Sequence, residues 1–368
     1  MRIDVRELKH YSKLITKFVD TSHPQFSSLY LDFEGQCIYF GSNRGFGKVT
    51  MPVTDYDSNV KPFCVNALSF IAVAEAVSLL DVEIKKDKDK KDCYVFRHES
   101  GDSFQIAYTD PDDFELPKFD IDFSDAIALN KDYIPCIRRA SVFTSPDGAK
   151  NLDGVFVRNG SMIGFEKLRM YEEVLSGVDI NDNLILPRNV WEILVIEDLD
   201  EPKIKIDENC IWIIATDVTM QFPVNRELFL PEEIGGDAFR ANYQSEYSVR
   251  LNKNALSNMI QFFLPFVSNV VQQRLQFIFN ATSLEIKTED GNIISRHIPY
   301  SEAADTSYFK GNKIWVSAMW LKNILSCLPN PKDAVVEIAV DFKKPPLVFS
   351  IVGDNSTHII YSRIKDSA

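Results

Sequence analysis

The sequence predicts an α+β fold of three repeated modules, each with two helices on an inner face and antiparallel sheets outside. Three observations carry this. The 368 residues divide into stretches of about 123, the size of small domains. The motif Leu129-Asn130-Lys131-Asp132 returns as Leu251-Asn252-Lys253-Asn254, an offset of 122. Within each stretch an amphipathic helix, a run of short strands, a second helix and more strands follow in the same order. The expected modules are 1–122, 123–245 and 246–368.

The opening helix of the first module spans Val5 to Val19. Leu8, Tyr11, Leu14, Ile15, Phe18 and Val19 recur on one helical face. Its counterparts run from Lys131 to Phe143 and from Asn252 to Val267, with Pro135 near the start of one and Pro265 near the end of the other. Second helices follow short apolar runs, from Asn66 to Leu80, Leu186 to Leu199 and Val316 to Leu328. Between them lie alternating strand runs. Ser28–Phe33 and Gln36–Phe40 flank a Glu34-Gly35 turn, and Leu275–Phe279 precedes Ser283–Lys287. Pro117 with its neighbouring acids marks one connector, Phe114–Asp125. Pro231 and Gly235-Gly236 mark the other, Pro231–Glu246.

Composition excludes several classes. Apolar residues make up 45% and charged residues 25%, which rules out wholesale disorder and collagen-like sequence. No run approaches the ~18 apolar residues of a membrane span, and the N-terminus lacks a signal-peptide core. Six scattered cysteines without a Cys-x-x-Cys pair fit a reduced, cytoplasmic chain. Catalytic signatures are missing: no phosphate loop, no Gly-x-Gly-x-x-Gly, no His-Glu-x-x-His and no Gly-x-Ser-x-Gly. Asp110-Pro111-Asp112-Asp113 and Asp198-Leu199-Asp200-Glu201 lack the glycine and terminal glutamate of a calcium loop and read as solvated acidic loops. Asn43–Lys48 reads as a hairpin and Lys85–Asp92 as a solvated hairpin tip.

Formal net charge is −13, but it is unevenly spread, at −6, −9 and +2 over the three stretches. Arg6, Lys9, Lys13 and Lys17 are spaced 3, 4 and 4 apart, one stripe opposite the apolar face. Lys131, Arg138, Arg139 and Arg188 occupy corresponding helices of the middle module, and Lys253 and Lys322 those of the last. Helices turned inward would present a basic lining under an acidic exterior, sufficient to grip phosphates without reading bases.

In this order of elements the chain resembles the bacterial-type DNA sliding clamp, the beta subunit of DNA polymerase III, including divergent phage-encoded forms. The resemblance spans the whole chain. It is most specific in Leu256–Asn269, Arg274–Phe277, Ser283–Ile286, Val316–Leu321, the ending Thr357–Ile364, and Asp113–Pro117. It implies a non-enzymatic processivity factor: a head-to-tail homodimer closing a ring around double-stranded DNA without sequence preference. DNA polymerase and the clamp loader would dock through short peptide motifs, with no cofactor, metal or membrane involved. The DNA lining would use Arg6, Lys9, Lys13, Lys17, Lys131, Arg138, Arg139, Arg188, Lys253 and Lys322. The peptide pocket would use Arg169, Met170, Ile360, Tyr361 and Arg363, and the subunit interface Phe266 and Val267. Lys167-Leu168 replaces the family's Gly-His, and Tyr361-Ser362 its Met-Pro, which implies a reshaped pocket. The first module's second helix carries no Lys or Arg between Asn66 and Leu80. The competing readings are a strand-rich virion repeat protein and a metal-dependent nuclease built on the acidic loops.

Overall fold

The computed structural model describes the chain except residues 24, 78–80, 87–92, 99, 110–113, 115, 117–118, 120, 145–152, 167–168, 176–183, 197–198, 225–227, 229, 231–233, 235–240, 242–244, 268–272, 289–292, 303–307, 310, 332, 343–345 and 363–368. Among the described residues one order of elements occurs three times: a strand, a helical segment, four strands, a helix, three strands. The first third adds a two-residue strand, Val53–Thr54, beside Arg2–Asp4.

Helix termini follow local chemistry. The expected Val5–Val19 helix breaks at Tyr11, whose ring is buried, into Arg6–His10 and Ser12–Phe18. Leu8, Leu14, Ile15 and Phe18 stay buried, so the apolar stripe survives the break. Asn66 caps Ala67–Ala76 by accepting from Ser69 N, and Asn252 caps Lys253–Val267 by accepting from Ala255 N. Ser317 caps Ala318–Cys327 in the same way, accepting from Trp320 N. Pro265 lies in the last turn of Lys253–Val267. The remaining helices are Tyr133–Ser141 and Arg188–Ile196.

The chain forms two compact units, 1–134 with 192–225, and 135–191 with 226–368. The first holds an antiparallel sheet of thirteen described strands. Its order is Ile127–Ala128, Lys203–Ile206, Cys210–Ile214, Val218–Pro223, Gly45–Thr50, Cys37–Ser42, Ser28–Asp32, Phe63–Asn66, Ser103–Thr109, Cys93–His98, Asp81–Lys86, Arg2–Asp4, Val53–Thr54. Gly45 opens its strand where a Cβ would meet Gln221 O at 2.4 Å. Phe18, Phe40 and Phe222 pack at one place in the core, with ring centroids 5.1 and 5.8 Å from Phe18. The connector is pinned by aromatic contacts: Phe114 on Tyr30, Phe119 on Tyr39 and Trp212, and Phe123 on Trp212, all within 6 Å.

The second unit holds two sheets. One runs Leu184–Pro187, Gly154–Arg158, Ser161–Glu166, Arg169–Val174, Asp354–Ser362, Pro346–Ile351, Val335–Val340, Ser248–Asn252. The other runs Ser295–Pro299, Ser283–Lys287, Arg274–Phe279, Lys313–Ser317. The Tyr133–Ser141 helix lies so close to the first sheet that a Cβ on Gly164 would sit 1.9 Å from Ala140 O. Opposing backbone leaves no slack there. Gly164→Val should therefore destabilise the protein by about 3 kcal/mol, the upper end of overpacking costs, read from its urea midpoint; an unchanged midpoint would show that the helix gives way freely.

Candidate functional surfaces

The basic residues divide by what they touch. Lys9, Lys13 and Lys17 are exposed, opposite the buried stripe of their helices. Arg6 is exposed as well, and its guanidinium bonds to Asp4 (Nε to Oδ2 2.9 Å), holding that carboxyl below its usual range. Lys131 is exposed in the turn before its helix, 3.8 Å from Asp200. Arg138, Arg188 and Lys322 are exposed on helices.

Two expected lining residues are spent internally. Lys253 is 6% exposed, and its Nζ donates to Leu328 O at 2.9 Å, Pro329 O at 3.2 Å and Asn330 Oδ1 at 3.2 Å. It closes the carbonyl end of the Ala318–Cys327 helix, where positive charge is favoured, although burial pulls its own pKa down. Arg139 is half-buried, with Nη2 donating to Glu173 Oε1 at 2.6 Å and Nε to Tyr171 Oη at 2.9 Å. Tyr171 donates in turn to Glu173, and burial followed by that carboxylate pushes the Tyr171 hydroxyl far up. Neighbouring Cys136 is pushed up to about 12, by burial first and Glu173 second. This cluster positions a helix on a sheet and ties Arg139 to Glu173.

The expected pocket residues come together on two paired strands, with Arg169 opposite Tyr361 and Met170 opposite Ile360. Arg363, Lys167 and Leu168 lie outside the described residues. Arg169 is 7% exposed, ion-paired to Glu166 and stacked over the Trp320 ring at 2.8 Å. Met170 and Ile360 are buried in an apolar cluster with Phe156, Ile163, Leu230 and Ile234. Periodicity analysis missed these last four and Trp320. A signal was present, because Gly154–Arg158 and Ser161–Glu166 are apolar at successive positions, as in strands covered on both faces.

At the expected interface the two residues differ. Phe266 is 46% exposed, its ring 5.3 Å from Phe262, over which Arg296 stacks at 3.9 Å. Val267 is 3% exposed and belongs to its own core, because Leu256, Ile260, Phe263 and Val267 form one buried helical stripe. Beside this patch runs Ser295–Pro299, an edge strand with no described strand on its outer side. Ser103–Thr109 is open in a similar way. Ser103–Ala107 pairs with Cys93–Arg97 on one side, and on the other side, among the described residues, only Tyr108 and Thr109 pair, with Val65 and Cys64.

The corresponding edges elsewhere are used within the chain. Gly45–Thr50, the third strand after the first helical segment, pairs with Val218–Pro223, the last strand of the middle third. Arg169–Val174, the third strand after the first helix of the middle third, pairs with Asp354–Ser362, the last strand of the final third. Helices meet at the second of these junctions, with Cys327 Sγ 3.8 Å from Arg139 O.

No protein-family model matches the sequence, and no curated protein sequence resembles it. Solved structures do match. The DNA polymerase III beta chain of Streptococcus pneumoniae superposes with a TM-score of 0.81 at 10% identity, over 99% of both chains. The DNA polymerase sliding clamp of Bacillus subtilis gives 0.79 at 15% identity, over 99% of this chain and 98% of that one. The Helicobacter pylori beta clamp, solved with a DNA ligase peptide, gives 0.75 at 12% identity over 99% of both. With its thrice-repeated order of elements, the chain has the sliding-clamp fold from end to end.

Proposed function

We propose that this chain is a DNA polymerase processivity clamp, a non-enzymatic ring of two copies joined head to tail around duplex DNA. The observation that carries the reading is the pair of strand edges left over. Taking modules of 1–122, 123–245 and 246–368, each junction within the chain joins the third strand after the first helix of one module to the last strand of the next. The same rule leaves Ser295–Pro299 of the last module and Ser103–Thr109 of the first without their counterparts. Two copies satisfy both edges by closing on each other, and a heterologous contact that closes gives a finite ring instead of a filament.

The helices obey the same rule. At the junction that brings Arg139 to Cys327, the first helix of one module meets the second helix of the next. At the open junction the pair is Lys253–Val267 and the partner's Ala67–Ala76 helix. The first offers exposed Phe266, and the second exposes Leu68 at 45% and carries no cation. The helix without a cation therefore reads as an interface element. Arg6, Lys9, Lys13, Lys17, Lys131, Arg138, Arg188 and Lys322 serve as the DNA-facing set. DNA polymerase and the clamp loader dock through short peptide segments at the sheet bearing Met170 and Ile360, as a ligase peptide binds the Helicobacter pylori clamp.

Two experiments test this. The parent should run at about twice 42.0 kDa in solution, and Phe266→Asp, a change on an exposed side chain, should run as a folded monomer. A dimer that survives Phe266→Asp would place the interface elsewhere. Loaded protein should be retained on closed circular DNA and lost on linearisation. Replacing Lys9, Lys13 and Lys17 with Glu should cut retention and lower the log–log salt slope by about 2.7, at ~0.9 per phosphate contact. Equal binding to short linear and circular DNA would sink encirclement.

A further inference from the structure

Where Gly45–Thr50 meets Val218–Pro223, the first unit holds a cavity of about 320 Å³, within the range of small-ligand sites. Gln36 and Cys37 line it from one hairpin, Lys48 and Thr50 from Gly45–Thr50, and Asp217 and Thr219 from the middle third. Cross-strand register sets Lys48 opposite Thr219 and Thr50 opposite Cys37. Thr50 N donates to Asp217 O at 2.8 Å, so Asp217 stands two residues along the ladder from Lys48. At ~3.3 Å per residue that is about 7 Å. Backbone bonds hold the rim open in advance of any ligand. Met51 N donates to Gln36 O at 2.7 Å and Val53 N to Gln36 Oε1 at 3.3 Å. Gln36 itself takes φ 51°, a left-handed backbone that residues with side chains rarely adopt.

The cavity's two charges are unspent. Lys48 and Asp217 are half-buried, and among the described residues neither makes an ion pair. Lys48 Nζ lies 5.3 Å from the centre of the Phe119 ring. The neighbouring Asp32 carboxylate is turned into its own hairpin, accepting from Gly35 N at 2.9 Å. Cys37 adds no charge, because burial pushes its thiol pKa up. Partly desolvated charges without counter-charges are costly, and a ligand that supplies both recovers that cost.

We propose that this cavity binds a small zwitterion, with its carboxylate or phosphate at Lys48, Thr50 and Thr219 and its amine at Asp217. An ammonium with two hydroxyl donors gives the charge-assisted bonds that suit either oxyanion. Asp217 repels a bare anion and attracts a molecule whose far end is an amine. The site lies wholly within the first compact unit and stands whether or not the chain encircles DNA.

Titration calorimetry on the full-length protein tests this with phosphoethanolamine, a phosphate bearing an amine, and with 4-aminobutyrate, a carboxylate bearing one. Each is compared with its bare anion, inorganic phosphate or acetate. At least one zwitterion should bind at least about tenfold more tightly than its bare anion, and which one does so identifies the oxyanion. Lys48→Met keeps the aliphatic stem beside Phe119 and should weaken that zwitterion at least about tenfold. Asp217→Asn should bring it down to the affinity of the bare anion while leaving the bare anion bound no more weakly. No zwitterion exceeding its anion, or unchanged zwitterion affinity in either variant, overturns the proposal. Neither change removes a side-chain hydrogen bond or ion pair among the described residues, so urea midpoints should match the parent's. Should one variant fold poorly, the other decides alone.

Discussion

A strand edge is a row of backbone donors and acceptors, and leaving it open in a folded protein invites another chain. Each third of this chain carries such an edge on the third strand after its first helix and another on its last strand. Two of these pairings are made within the chain, Gly45–Thr50 with Val218–Pro223 and Arg169–Val174 with Asp354–Ser362, and the consequences reach well beyond the junctions. Val218–Pro223 joins a sheet otherwise dominated by the first third, and Arg169–Val174 joins one that the middle and last thirds share equally among the described strands. The middle third is thereby shared between the two compact units, and the division falls inside its two helices instead of at the connectors. Sequence repeats and compact units cut the chain differently for this reason.

Because backbone groups carry the junctions, the side chains there are free to vary. At comparable helix-on-sheet positions the first third has Phe18 against Phe40 and Phe222. The middle third has Arg139 against Tyr171 and Glu173. The last has the pair reversed, with Phe262 on the helix and Arg296 on the strand. Three unlike solutions to one geometry leave little similarity between the repeats. They also make identities of 10–15% alongside TM-scores near 0.8 unsurprising. Different junction chemistries also discourage one module from docking where another belongs.

Much of the fold was legible from periodicity alone, because one buried face repeats every three or four residues in a helix and every two in a strand. The motif Leu251-Asn252-Lys253-Asn254 shows where such reading stops. It places a strand end and helix start correctly, with Asn252 as the cap. Its lysine, by contrast, reaches carbonyls 75 and 76 residues away, and nothing local announces them. Lys131 stands at the same place in its own motif and is exposed. Phe266 and Val267 were separable in principle, since the i, i+4, i+7, i+11 run from Leu256 ends on Val267 and leaves Phe266 off the stripe. The break at Tyr11 left no mark, as a buried tyrosine suits a continuous helix equally well.

The three sheets differ in what covers one of their faces. In the first unit Tyr30, Tyr39 and Trp212 lie under Phe114, Phe119 and Phe123, aromatic on aromatic. In the eight-stranded sheet Phe156, Ile163, Met170 and Ile360 lie under aliphatic Leu230 and Ile234. In the last third the corresponding strands show Gln276, Glu285, Lys287 and His297, all partly or fully exposed. Ring stacking ties orientation to contact, whereas two aliphatic side chains on an aliphatic stripe can be replaced by any others of similar bulk.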